Sequence, residues 1–114
     1  MQPEISGLLE SMGGNVVIHR VGQRDYYVGS LLGCSCVIVL ARVGKVAAAA
    51  TTATLIREFG VACVVFTGVA GAIGSHVRVG DVVIAQSLVQ HDLDASPLFP
   101  RYEVPLLGRS HFEA

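Results

Sequence analysis

Glu4 is a lone carboxylate at the start of a predicted helix. A glutamate there can act as a general base on water, or it can simply complement the positive end of the helix macrodipole. Arg42-Val43-Gly44-Lys45-Val46 sets two cations around a glycine just before a second predicted helix. A phosphate loop would need a glycine five residues before Gly44 and a Ser or Thr at the place of Val46, so that mechanism is excluded. Arg42 can bind an anion at the helix start, or stand solvated. Thr67-Gly68-Val69-Ala70-Gly71, followed by Gly74, has the spacing G-x-x-G-x-x-G and is not a dinucleotide fingerprint. Its glycines serve either a tight turn or the close approach of a ligand to the backbone. Asp81, in Val79-Gly80-Asp81-Val82-Val83, is read as a turn former at a strand entrance. His91-Asp92-Leu93-Asp94 offers an imidazole and two carboxylates without a second cluster, so loop shaping is expected there and no metal.

These residues need elements to hold them. Residues 3–12 read as a short amphipathic helix, with Ile5, Leu8, Leu9 and Met12 at helical spacing and Gly13-Gly14 as its stop. Three β-like runs follow, at residues 16–19, 26–28 and 36–41, and predict an antiparallel or mixed meander. Residues 45–59 change to a helical period. Val46, Ala49, Ala50, Ala53 and Ile56 share one face, Leu55 and Phe59 lie beside it, and Gly60 fits the position after the helix. Residues 61–67 form a continuous apolar run that predicts a strand buried on both faces. Residues 81–85 predict the start of another buried strand, with room to run on to Val89, and from His91 onward the proline-rich pattern reads as a long loop. Strand, helix, strand, glycine turn, strand is the grammar of an α/β fold. In such sheets ligands bind beyond the carboxyl ends of strands, which selects the Thr67 to Gly71 turn and the His91 to Asp94 turn.

Composition narrows the function classes. Of the 114 residues, 52% are apolar and only 15% charged, with a net charge of −1. That argues for a buried core and against disorder, and the absence of a basic stripe argues against nucleic acid as a partner. No apolar run reaches the roughly 18 residues of a membrane span. The first residues lack the basic flank and apolar stretch of a signal peptide, so a cytoplasmic location is expected. Cys34, Cys36 and Cys63 match no common zinc spacing. Cys36 and Cys63 lie in apolar runs, where burial as small hydrophobes is expected in a reducing compartment.

Taken together, Pro3-Glu4-Ile5, Val43-Gly44-Lys45-Val46-Ala47-Ala48-Ala49, Thr67 to Gly71, Val79 to Val83 and His91 to Asp94 stand in an order and spacing that resemble the methylthioadenosine/adenosylhomocysteine nucleosidase branch of the nucleoside phosphorylase family. Each stretch is weak alone, and the ordered set is specific. The resemblance implies a mixed central sheet flanked by helices and a single domain over residues 1–114, truncated at both ends and lacking the first strand of the family fold. It implies hydrolysis of a purine N-glycosidic bond, a small purine nucleoside as ligand, no metal, no organic cofactor, and a homodimer. Glu4 matches the carboxylate that handles water. Val43 matches an apolar position near the ribose and the 5′ substituent, and Ala70 and Gly71 match the turn that lines the nucleoside pocket. Ala95, with Pro97 and Phe99, matches the wall of the 5′-alkylthio pocket. Val69 departs from the pattern, standing where Ser or Thr is usual. Arg42 stands where Gly is common, and its cation keeps a phosphate-dependent phosphorylase as the alternative. The family's ribose-binding Met-Glu and its acidic Ser-Asp pair have no match between Arg101 and Ala114. A chain without the acid is expected to be nearly inactive alone, which leaves a non-catalytic, nucleoside-binding or partner-dependent fragment as the third reading.

Overall fold

The computed structural model describes residues 2–114, with side chains described from Ile5 onward. The chain divides into two compact units, the first ending at Gly68 and the second comprising Val69–Ala114.

The first unit is a helix, a three-stranded meander and a second helix. Helix α1 (Gln2–Ser11) is followed by β1 (Val17–Val21), β2 (Arg24–Leu31) and β3 (Cys34–Val39), then by α2 (Lys45–Phe59). The strands pair antiparallel in the order β1-β2-β3, with Tyr26 opposite both His19 and Val39. Both hairpins turn through two residues, Gly22-Gln23 and Leu32-Gly33, whose φ angles of 54°, 61°, 51° and 82° are all positive. That is the geometry of type I′ turns, whose twist matches that of the flanking strands. The predicted meander is therefore present, and it is antiparallel throughout.

The two helices cover opposite faces of this sheet. Phe59 of α2 stacks on Tyr26, with ring centroids 5.0 Å apart, and His19 meets the same Phe59 edge-on at 5.8 Å. Three positions along β2, Gly29 faces Met12, which directly follows α1. A Cβ built on Gly29 would lie 2.8 Å from the Met12 Cε. Side chains alternate along a strand, so positions 26 and 29 point to opposite sides. Tyr26, only 1% exposed, is the largest fully buried side chain among the described residues, and Met12 and Leu55 are buried with it.

Helix α2 turns a different face inward from the one its apolar stripe suggested. Thr51 and Leu55 are buried and Ala47 and Phe59 half-buried, whereas Val46, Ala49, Ala50, Ala53 and Ile56 are exposed. Residues at i, i+4, i+8 and i+12 form the contact, and it is anchored by the Phe59–Tyr26 stack. The Thr51 hydroxyl donates to the Ala47 carbonyl at 2.8 Å, which lets a polar side chain sit in the packed face. Gly60 ends the helix in the left-handed conformation at φ 61°, and the Val61 N–H donates to the Leu55 carbonyl. A left-handed glycine just past the last helical residue is the stop that the sequence placed at Gly60.

The strand predicted at residues 61–67 is not formed, and the one predicted from Asp81 toward Val89 forms only at its far end, Ser87–Val89. Residues 61–67 and 81–85 enter no ladder, and Val65, Phe66, Val82 and Ile84 are exposed. Their composition expresses a preference for burial, but a strand needs a neighbour in register, and the described strands offer none. Cys63, expected to be buried, is exposed for the same reason. In the second unit, β4 (Ser87–Val89) pairs antiparallel with β5 (His111–Glu113), and Val104 bridges Arg109. The stretch after His91 is thus closed by a strand that its sequence did not announce.

Candidate functional site

Glu4 lies in α1, and its side chain falls outside the described residues. Arg42 and Val43 occupy the loop between β3 and α2. Arg42 has a left-handed backbone at φ 65°, and its Nη2 donates to the carbonyl of Gln23 in the β1–β2 turn. Val43 is 82% exposed. Helix α2 is preceded by Gly44, which has no side chain to cap it, and the first turn carries no acid. Among the described residues no group of three His, Cys, Asp or Glu side chains is arranged to hold a metal.

In the second unit, Val69 is 97% exposed, and Ala70 and Gly71 are exposed beside it. The expected turn is an irregular segment, and its glycines do not use the left-handed freedom that the sequence allowed them, since neither Gly68 nor Gly71 has a positive φ. A Cβ added at Gly68 would press on the Phe66 ring at 3.2 Å, whereas one added at Gly71 would meet open space. Asp81 acts as a turn former. Its carboxylate accepts the Arg78 N–H at 2.8 Å, and its own N–H donates to the Arg78 carbonyl at 3.1 Å.

The loop after His91 is ordered by its own polar groups. Asp94 Oδ1 accepts from the Ser96 hydroxyl at 2.6 Å and from the Ser96 N–H at 3.1 Å. Arg101 Nε stands 4.0 Å from the other carboxylate oxygen. The Ser96 hydroxyl bond, then its N–H, then the Arg101 charge hold the Asp94 carboxyl below its ordinary pKa. Ala95 is half-buried, and its carbonyl accepts from the N–H groups of Leu98 and Phe99 at 3.1 and 3.2 Å. The Tyr102 N–H returns to the Leu93 carbonyl at 2.9 Å, so residues 93–102 form a closed loop around Ala95. This agrees with the loop-shaping reading of Asp94.

The structure therefore joins Arg42 and Val43 on one loop, Val69, Ala70 and Gly71 on one irregular segment, and Ala95 on a closed loop. Sequence reasoning missed the bond from Arg42 to Gln23. The legible signal was the two-residue turn at Gly22-Gln23, but nothing in the sequence told which side chain would reach it. It also missed a cleft lined by Arg109, His111, Phe112 and Glu113, which contains none of the residues singled out above.

The family model of the phosphorylase superfamily matches residues 1–114. The chain is 36% identical over 96 residues to a 5′-methylthioadenosine/S-adenosylhomocysteine nucleosidase of Pseudoalteromonas translucida, covering 84% of this chain and 40% of that protein. It is 33% identical over 96 residues to an aminodeoxyfutalosine nucleosidase of Helicobacter pylori, covering 84% of this chain and 42% of that one. Among solved structures, the 5′-methylthioadenosine/S-adenosylhomocysteine nucleosidase of Neisseria meningitidis in complex with methylthio-immucillin-A superposes with a TM-score of 0.92 at 39% identity, covering 100% of this chain and 49% of that one. The chain thus spans about 40% of the length of the curated relatives it matches.

Proposed function

The chain belongs to the phosphorylase superfamily, and from that premise we propose that the whole protein is a purine nucleosidase that hydrolyses 5′-methylthioadenosine and S-adenosylhomocysteine to release adenine. The observation that carries this reading is the superposition of the entire chain, at 39% identity, on a nucleosidase solved with methylthio-immucillin-A. In the proposed reaction a water oxygen bonds to the anomeric carbon as the bond to the purine nitrogen breaks. The water's proton passes to a base, and a general acid gives the departing purine its proton. Glu4 is the proposed residue for the water, because a carboxylate accepts its proton and offsets the positive charge that develops on the ribose. Val43, Val69, Ala70, Gly71 and Ala95 are the proposed lining of the nucleoside site. The open space at Gly71, where neither φ nor packing requires glycine, supports close approach of a ligand there.

Hydrolysis is favoured over phosphorolysis by the engagement of Arg42. Its guanidinium is held on the Gln23 carbonyl. The similarity to aminodeoxyfutalosine nucleosidase favours a second substrate of the same reaction type. We assign residues 1–114 to part of a single nucleosidase domain, since the similarity to the Neisseria enzyme runs through both compact units and covers 49% of that chain. A cytoplasmic homodimer working in methionine salvage completes the proposal. The free cysteines suit a reducing compartment, and the exposed apolar residues of α2 call for cover.

The test is adenine release from 5′-methylthioadenosine, S-adenosylhomocysteine and aminodeoxyfutalosine by the purified whole protein, with and without phosphate. Phosphate-independent release is expected, with Glu4→Gln lowering kcat by roughly 10²–10⁴-fold. Release that requires phosphate would make the protein a phosphorylase. Nucleoside binding with no release would make it a non-catalytic binder. The 114-residue chain by itself is expected to be nearly inactive.

A further inference from the structure

We propose that Arg42 is a positioning residue, whose guanidinium clasps the β1–β2 turn and fixes the loop carrying Val43, and that it is not an anion ligand. The proposal rests on the nucleosidase reading only for the role of Val43. The clasp itself is geometry. Arg42 Nη2 donates to the Gln23 carbonyl across 19 residues of sequence and joins the loop before α2 to the tip of the first hairpin.

Three observations make this bond the anchor of the loop. Arg42 and Gln23 both hold left-handed backbones, at φ 65° and 61°; the type I′ turn accounts for Gln23, whereas Arg42 lies in no hairpin turn and holds an uncommon conformation for a residue with a side chain. The glycine that follows, Gly44, has φ 98° and supplies no side-chain cap to α2, whose first backbone bond is from the Ala48 N–H to the Gly44 carbonyl at 3.0 Å. Val43, between them, is 82% exposed and has little packing of its own. Its position is therefore set by the backbone on either side, and Arg42 is the flanking residue with a long-range hold. A guanidinium suits the task, because it stays charged and its planar fork can meet a carbonyl while its stem spans the gap.

Arg42→Gly separates the clasp from the backbone geometry, since glycine accepts the same φ and removes only the side chain. Arg42→Lys keeps a cation without the fork. Both are made in the whole protein and compared by KM and kcat for 5′-methylthioadenosine, with and without phosphate, and by amide exchange across residues 40–48 and 20–25. The expected result for Arg42→Gly is a KM raised about fivefold with kcat within about twofold, the size of losing one charge-assisted hydrogen bond at a partly hydrated site. The change is the same with and without phosphate, and exchange is faster in both segments. Arg42→Lys recovers part of the loss. Wild-type KM and wild-type exchange in Arg42→Gly would overturn the proposal. So would phosphate slowing exchange of the loop in the wild type but not in Arg42→Gly, the signature of an anion ligand. If the whole protein released no adenine, the nucleosidase reading would fail, and the exchange comparison would still decide the clasp.

Discussion

At the scale of single residues, polar side chains here organise loops more than they gather into a cluster. Asp94 accepts two bonds from Ser96, and both favour its charged form, so its pKa lies below the ordinary 3.8. A depressed folded-state pKa means that the contribution of Asp94 is fully present above the unfolded value and is lost as pH falls through the folded one. The Ser96 hydroxyl is the largest cause, so Ser96→Ala should raise the Asp94 pKa toward its ordinary value, read from the carboxyl carbon in an NMR titration. An unmoved midpoint would assign the shift to the backbone N–H and Arg101 instead. The sequence marked Asp94 as a loop former because Asp bonds readily to the backbone two residues on. It could not mark the partner of Arg42, since a long, flexible side chain finds its acceptor only after the hairpin and the α2 entry have been placed.

Among the elements, the turn chemistry and the helix stops follow local rules, while the choice of packed face does not. Gly22-Gln23 and Leu32-Gly33 are type I′ turns, and Leu32 sits in one at φ 51° with 93% of its surface exposed. A leucine in the left-handed region bears a steric cost that asparagine largely avoids, and so exposed a side chain gives up little packing when replaced. Leu32→Asn should therefore stabilise the fold by about 1 kcal/mol, measured as a shift of the denaturation midpoint at constant slope. A lowered midpoint would mean that Leu32 is covered in the working protein. For α2, the apolar stripe from Val46 to Ile56 was the strongest periodic signal, yet Thr51 and Leu55 face inward. Alanine-rich helices carry two shallow apolar faces, and the aromatic stack of Phe59 on Tyr26 selects between them.

For the molecule as a whole, apolar content exceeds what these residues bury among themselves. Met12, Tyr26 and Leu55 are the buried apolar side chains among the described residues, while Val46, Phe66, Ile73 and Ile84 are exposed. Conformational entropy opposes folding at roughly 1–2 kcal/mol per ordered backbone residue, so a core this small calls for further apolar burial against other protein surface. The 114-residue chain should accordingly bind a hydrophobic dye such as ANS at neutral pH without denaturant, and unfold over a broad transition. A sharp unfolding transition with no dye signal would show that these surfaces are covered within the chain.

By itself the sequence determined the class of the fold, a meander left open between antiparallel and mixed, both helices with their glycine stops, and the ordered motifs that pointed to the phosphorylase superfamily. All of these rest on local pattern, on period, turn chemistry and residue type, which a short window contains. Tertiary structure alone decided which face of α2 packs, that Arg42 reaches Gln23, that β5 closes on β4, and that residues 61–67 and 81–85 stand without a ladder. Each of these depends on a partner distant in sequence, and a preference for burial or for a hydrogen bond names no partner until the chain has brought one within reach.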